Sequence, residues 1–489
     1  MPSQRFGVVD LGSNSVRLVI YEGLTRNPHV IFNEKAVLGL GRGLHATGRL
    51  NPEAMTQAMT VLGRYHALAE GMAAAPVQLL ATAAVRDASN GAEFIAGLGR
   101  VMPGVAIQVL SGDEEARFSA DGLLLGVPMA DGVLGDLGGG SLELVRLVRG
   151  EVRETMSLPL GTIRLAERAE GDVARARNIV EAELKRVPWL GEASQKDLYL
   201  VGGTLRALAR MHIAQTGYPL HIVHHYAIRR EEARDLAGVV TTATRRALER
   251  MPGAPSKRAG DLPFAAVVLR RLLRASGTTR VVFSANGMRE GWYARRLAAE
   301  ERRRDPLLAA AMELGTRLGR DAGLPPALVR WTAPLNGEGP GEEALRIAAC
   351  WIADTGSRDH PEYRAEQALL RLLRLHGVGL DHHARAFLAL VAALRYEVEP
   401  LLPELAVARG LLSAPTIRRA EVLGAAFRLA FTLCGGVPAL LEATALEKRD
   451  GKLVLRLAQG AGVFAGEAVQ RRVEALALLH GLDGMLEAA

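Results

Sequence analysis

The sequence predicts an α/β protein of two related lobes with mixed sheets, followed by a mainly helical extension. Three observations carry that prediction. DLGSNSVRLV at residues 10–19 and DLGGGSLELV at residues 136–145 agree in six of ten columns, which marks an internal repeat. Strand-like runs alternate with helix-length segments as far as about residue 297. Beyond it the texture changes to apolar residues at three- and four-residue spacing, which is helical.

Each repeat opens a hairpin. The first has an apolar run from Phe6 to Leu11, a turn of small residues and a second strand-like run ending near Tyr21. Residues 51–72 read as a helix, and VQLLATAA (77–84) and VAIQVLSG (105–112) as buried strands running into turns. The second hairpin runs from Val133 to Leu137 and back to near Val148. Residues 172–187 and 229–250 read as helices, with LYLVGGT (198–204) as a buried strand between them. RRLAAEERRRDP (295–306) is a charged run that ends a domain. In ALEKRDGKLVLRL (445–457), Asp450-Gly451 is a two-residue hairpin turn, and a further break is expected near Glu399-Pro400. Four segments are therefore expected: lobe I over 1–125, lobe II over 126–300, a helical domain over 301–400 and an α+β domain over 401–489.

Composition narrows the function classes. Of 489 residues only 22 are aromatic, too few for a base-stacking single-strand binder. Two cysteines, Cys350 and Cys434, make neither a disulfide framework nor a cysteine-rich zinc site. The start, MPSQRFGVVD, has no apolar signal core, and no window approaches the roughly 18 uncharged apolar residues of a membrane span. A soluble, cytoplasmic protein without membrane contact is expected. The net charge of +7 is unevenly placed: −2 over residues 1–150, +9 over 151–300 and 0 over 301–489, with +10 in residues 201–300 alone. Such a surplus attracts polyanions, and binding that weakens steeply with salt is expected. No helix-turn-helix, zinc-finger or aromatic-interleaved basic motif supports specific nucleic-acid binding.

A strand ending in Asp, then glycine and small hydroxyl residues, is a phosphate-holding arrangement. Glycine lets backbone approach an anion, and successive N–H groups and hydroxyls donate to it. The first turn offers Gly12, Ser13, Asn14 and Ser15, the second Gly138, Gly139, Gly140 and Ser141, and two facing turns can grip one phosphate from opposite sides. A carboxylate beside phosphate is repelled unless a cation lies between, so Asp10 and Asp136, with Glu143 across the second hairpin, point to Mg²⁺. SGDEEARFSADG (111–122) places Glu114 and Glu115 between the turns, where a carboxylate can serve as general base toward water. Arg86 and Asn90, in ATAAVRDASNG, are candidates to meet outer phosphates.

These motifs, together with LPLGTIRL (158–165), VGGTLRALA (201–209) and FSANGMREGW (283–292), closely resemble the exopolyphosphatase and guanosine pentaphosphate phosphatase family, in family order over about residues 5–295. The resemblance implies a two-lobed actin-like ATPase (ribonuclease H-like) fold with the substrate in the cleft. It also implies Mg²⁺-dependent hydrolysis of the terminal phosphate of inorganic polyphosphate or of pppGpp. By motif, Ser13, Asn14, Ser15 and Arg17 belong to the first phosphate loop, Gly138 to Ser141 to the second, and Asp136 and Glu143 to the acidic metal pair. The catalytic glutamate matches Glu114 or Glu115, with Glu115 favoured. Gly202, Gly203, Thr204 and Arg206 match the element that holds a nucleoside in actin-like kinases.

The length fits the long form of the family, whose extension resembles HD-type phosphohydrolase domains. Asp359, His360, Asp381, His382 and His383 lack a metal-ligand spacing, and LVAALRYE (390–397) has no histidine near Arg395. The extension is therefore expected to serve a homodimer or to guide a long substrate. Two other readings remain, an actin-like small-molecule kinase and a non-catalytic binder of polyphosphate or alarmones. The SGDEEA element and the similarity of the two loops favour water as acceptor, and a pure binder has no need of a base.

Overall fold

A computed structural model describes residues 4–335 and 339–488. Residues 1–3, which begin the stretch read for a signal core, lie outside the described residues. The chain forms two compact units, residues 1–303 and 304–489. Among the described residues no helix is long and apolar enough to cross a membrane.

The first unit begins with the hairpin of β1 (Arg5–Leu11) and β2 (Ser15–Glu22), in a register that sets Asp10 opposite Arg17. Val8, Val9, Leu18 and Ile20 are buried, so these strands are covered on both faces and read as apolar runs. β3 (Val30–Val37) extends the meander. α1 (Pro52–Gly71) starts where the Asn51 side chain accepts from the Ala54 amide, with proline at the first position. Its Ala54, Ala58, Leu62, Tyr65 and Ala69 form one buried stripe. β4 (Ala74–Ala81) runs parallel to β1 and leads through α2 (Ala83–Asp87) and α3 (Gly91–Val101) to β5 (Ala106–Val109). The sheet order is β3-β2-β1-β4-β5. β5 is therefore an outer strand with no buried residue, where a buried strand is expected over 105–112.

The same plan recurs in β6 (Gly132–Leu137), β7 (Leu142–Val148), β8 (Glu151–Leu158), β9 (Asp197–Val201), β10 (Tyr226–Arg229) and β11 (Arg280–Phe283), ordered β10-β11-β9-β6-β7-β8. β9 lies parallel to β6 as β4 does to β1, and Asp136 sits opposite Glu143 as Asp10 sits opposite Arg17. The helix expected over 229–250 is two helices, Arg230–Thr242 and Arg245–Arg250, because Thr244 turns extended and caps the second through the Ala247 amide at 3.2 Å.

Two helices join the sheets. The one at Gly112–Gly126 follows the first sheet but buries Ala116, Ala120 and Leu123 against Leu134, Val145 and Tyr199 of the second. The other, at Met288–Ala294, returns Trp292 and Tyr293 to Phe6 and Tyr21, with the two tyrosine rings 4.8 Å apart. They cross closely: a Cβ on Gly122 would meet the Gly287 carbonyl oxygen at 2.0 Å, and one on Gly291 the Phe118 oxygen at 1.7 Å.

The second unit is mainly helical, with a three-stranded sheet in which Thr444–Arg449 and Lys452–Leu457 form the expected hairpin. Asp450 and Gly451 both take positive φ, 52° and 73°, at its turn. One continuous core runs from Ala310 to Ala477, so residues either side of Glu399-Pro400 share it.

Candidate active site

A cleft in the first unit lies between the two hairpin turns. Each turn closes in the same way, Gly12 N–H donating to the Ser15 carbonyl and Gly138 N–H to the Ser141 carbonyl, both at 3.0 Å. The turns face each other at a distance that excludes side chains. A Cβ on Gly140 would stand 2.5 Å from the Ser13 hydroxyl, and one on Gly139 would stand 3.3 Å from Ser13 Cβ. Gly12, Ser13, Asn14 and Ser15 line one wall and Gly138, Gly139, Gly140 and Ser141 the other, as the repeat predicts. The Asn14 amide oxygen is buried without a hydrogen-bond partner, which a donor in the cleft such as water would supply.

Gly202, Gly203, Thr204 and Arg206 also line the cleft. Gly202 has φ 109°, and a Cβ there would meet the Leu137 carbonyl oxygen at 2.3 Å, so the glycine lets the Gly203–Thr216 helix begin against the end of β6. The side facing the first lobe is tied across by Arg164 to Asp87 at 2.6 Å and by the Gly43 amide to Glu167 at 2.7 Å.

The acids gather at one end. Asp10 and Asp136 end β1 and β6 and line the cleft with Glu115. Burial raises all three above the ordinary carboxylate range. For Glu115 the rise is large, from burial first and then from repulsion by Glu143, while Arg86, at 3.3 Å, partly offsets it. Glu143, itself buried behind the second turn and bonded by the Ser157 hydroxyl at 3.0 Å, is pushed up to about 7 by burial and then by Asp136. A group that titrates near neutrality is suited to proton transfer.

Glu114 and Glu115 are adjacent but serve different ends. The Glu114 carboxylate accepts from its helix's own Ser111 amide at 2.7 Å, closing a capping box that holds it below the usual range. One residue on, about 100° around the helix, Glu115 turns inward to the cleft. Asn90 departs from expectation. It is buried away from the cleft lining, its amide oxygen accepting from Leu50 N–H at 2.9 Å and its nitrogen facing the Met55 sulfur at 3.3 Å. Arg86 does not line the cleft directly either. It bonds the Leu110 carbonyl at 3.0 Å and pairs with Glu115, so it acts through that carboxylate.

Five cations line the cleft: Arg17, Lys35, Arg206, Arg258 and Arg289. Arg289 lies 3.9 Å from Asp10, and Arg258 donates to the Thr204 hydroxyl at 3.0 Å. Burial and then the neighbouring Arg258 lower Lys35 to about 8, and burial with Arg289 lowers Arg206 to about 10. Sequence reasoning misses Lys35, Arg258 and Arg289. Arg289 stands in the FSANGMREGW motif and Arg258 in the basic 201–300 stretch, whereas Lys35 has no sequence signal. A crowd of half-buried cations lining one cleft with the glycine turns favours a multiply charged anion.

Among the described residues no group of three or more His, Cys, Asp or Glu is placed to hold a metal ion. Mg²⁺ keeps several waters and takes one or two carboxylates plus substrate phosphate, and Asp10 and Asp136 line the cleft where they could serve as those carboxylates. Repulsion from Asp136, which adds to burial in raising both Glu115 and Glu143, is the kind a cation beside Asp136 would relieve. In the second unit, Asp381 caps its helix through the Ala384 amide at 2.7 Å, Asp359 pairs with Arg371 at 3.1 Å and His360 stacks on Tyr363. His382 is buried and His383 approaches the Thr416 hydroxyl at 3.5 Å.

Comparison with known proteins agrees with this geometry. The Ppx/GppA phosphatase family model matches residues 19–300, and the model for the C-terminal part of exopolyphosphatases matches residues 307–486. Exopolyphosphatase 2 of Mycobacterium tuberculosis (strain CDC 1551 / Oshkosh) is 32% identical over 325 residues, covering 60% of this chain and 98% of that protein. Exopolyphosphatase 1 of Mycobacterium leprae is 29% identical over 311 residues, covering 60% and 90%. Among solved structures, an exopolyphosphatase from Cytophaga hutchinsonii superposes with a TM-score of 0.54 at 26% identity, over 59% of this chain and 96% of that one. The Aquifex aeolicus PPX-GPPA enzyme gives 0.51 at 26%, over 60% and 99%. The fold is the two-lobed actin-like one, with a helical C-terminal region.

Proposed function

The chain belongs to the Ppx/GppA phosphatase family, and we propose that it is an exopolyphosphatase that removes the terminal phosphate of inorganic polyphosphate, with pppGpp as a second substrate ending in the same phosphoanhydride. The observation that carries this reading is Glu115: a buried carboxylate, steadied by Arg86, lining the cleft between two glycine turns that can hold a phosphoryl group.

In the proposed reaction Glu115 takes a proton from water as its oxygen bonds to the terminal phosphorus, and the bridging phosphoanhydride bond breaks to release the shortened chain. Its raised pKa makes it a stronger base than an exposed carboxylate. N–H groups and hydroxyls of residues 13–15 and 139–141 hold the equatorial oxygens, while Arg17, Arg206 and Arg289 balance charge along the chain. Mg²⁺ held partly through water by Asp10 and Asp136, with Glu143 behind them, would supply charge neutralisation at the phosphates.

The test is phosphate release from long polyphosphate, tripolyphosphate and pppGpp, each with and without Mg²⁺. Release from a polyphosphate that requires Mg²⁺ is expected, and no release from any of the three would overturn the reading.

A further inference from the structure

The second unit holds a cavity of its own. Arg320, Arg364, Arg395, Arg428 and Arg472 line it, with Tyr396. Four helices contribute: Arg364 begins Arg364–Leu373, Arg395 ends His382–Arg395, Arg428 lies on Ala414–Cys434 and Arg472 on Glu467–Leu479.

The charges do not balance. Among the described residues, the ion pairs of these five arginines run to two carboxylates. Arg320 already grips Asp354 through Nε and Nη2 at 3.0 and 2.8 Å, and Arg395 reaches the same group at 3.8 Å. Arg428 and Arg472 share one oxygen of Glu397, at 3.5 and 3.2 Å. Arg364 lies over the Tyr396 ring at 5.2 Å. Arg395 is held between Tyr396 and Phe431 at 3.8 and 3.6 Å, its side chain only 7% exposed.

Three of the guanidiniums, those of Arg364, Arg395 and Arg428, keep a buried Nε without a hydrogen-bond partner. Arginine cannot shed its proton to escape burial, so unmatched guanidiniums in a shared cavity are costly unless an anion joins them. Burial lowers Arg395 to about 10, which reflects that cost. Planar forks converging from several helices match the oxygens of a tetrahedral oxyanion.

We propose that this cavity is a second oxyanion site, which binds a compact phosphate-class anion such as orthophosphate or a diphosphonate, separate from the cleft of the first unit. It is argued from the second unit alone and stands whether or not the cleft acts as described above.

Calorimetric titration of the full chain with Mg²⁺ present tests it, using methylenediphosphonate, which has no hydrolysable bridge. Two binding sites per chain are expected. Arg206→Gln should weaken the cleft site alone, and the double variant Arg364→Gln/Arg428→Gln should weaken the second site about tenfold or more. Arg472→Gln, at the half-exposed edge, guards against misfolding of the double variant and should weaken the same site about threefold. Two unaltered sites in both the Arg364→Gln/Arg428→Gln and the Arg472→Gln variants overturn the proposal. It also fails if methylenediphosphonate never occupies the cavity while long polyphosphate binding depends on Arg364 and Arg428, because the arginines would then track a chain.

Discussion

The two hairpins of the first unit share a backbone and differ in charge. Both place an aspartate at the end of the entering strand and a glycine turn after it. Across the first, Asp10 faces Arg17; across the second, Asp136 faces Glu143. A duplicated turn has thus become a basic half suited to holding an anion and an acidic half suited to holding protons or a cation. The acidic half is where pKa values climb, Glu143 to about 7 and Glu115 well above its ordinary value. Holding and chemistry should therefore separate in mutants, the basic half through KM and the acidic half through kcat.

The largest effect is expected at the acidic half. Glu115→Gln preserves shape but removes the proposed base, and kcat for polyphosphate hydrolysis should fall about 10²–10⁴-fold with KM little changed. A variant within tenfold of the parent would break the division of labour between the halves. Next comes the gap between them. Gly140→Ala forces a methyl to within 2.5 Å of the Ser13 hydroxyl, so the turns must part, and kcat/KM should drop about 100-fold. At the basic half, Arg17→Gln should raise KM about tenfold and leave kcat nearer the parent value.

Glu143 offers a sharper, solution-based contrast. Its folded pKa of about 7 exceeds the 4.5 of a free carboxyl, so the folded state holds that proton more tightly. The contribution to stability is complete below 4.5 and is lost as pH rises through 7. In chelator, the melting temperature of the first unit should fall over that window, and Glu143→Gln should flatten the fall. Arg17→Gln should not, and equal flattening by both would blur the comparison.

The repeat makes this pair of hairpins legible in the sequence, because glycine turns after apolar strands leave a strong local pattern. Other residues are legible only in part. Asn90 reads as a phosphate ligand in ATAAVRDASNG, yet its amide is spent satisfying a buried Leu50 N–H. Lys35 enters the cleft from a strand distant from every motif, so its role comes from sheet order and not from local sequence. The arginine cavity of the second unit draws on four helices, and its members, from Arg320 to Arg472, lie too far apart along the chain to form a motif.

Glu114 gives the smallest effect and the cleanest control. Sequence alone keeps it as the alternative to the favoured Glu115, since both follow Ser111 within the first helical turn. The structure gives it a backbone partner instead, the Ser111 amide, and a place outside the cleft lining. Glu114→Ala should therefore cost about 1 kcal/mol of stability through the lost cap, read as a small drop in melting temperature, while phosphate release stays within about twofold of the parent. A 100-fold loss of activity without loss of stability would reverse the two glutamates and move the base out of the acidic half.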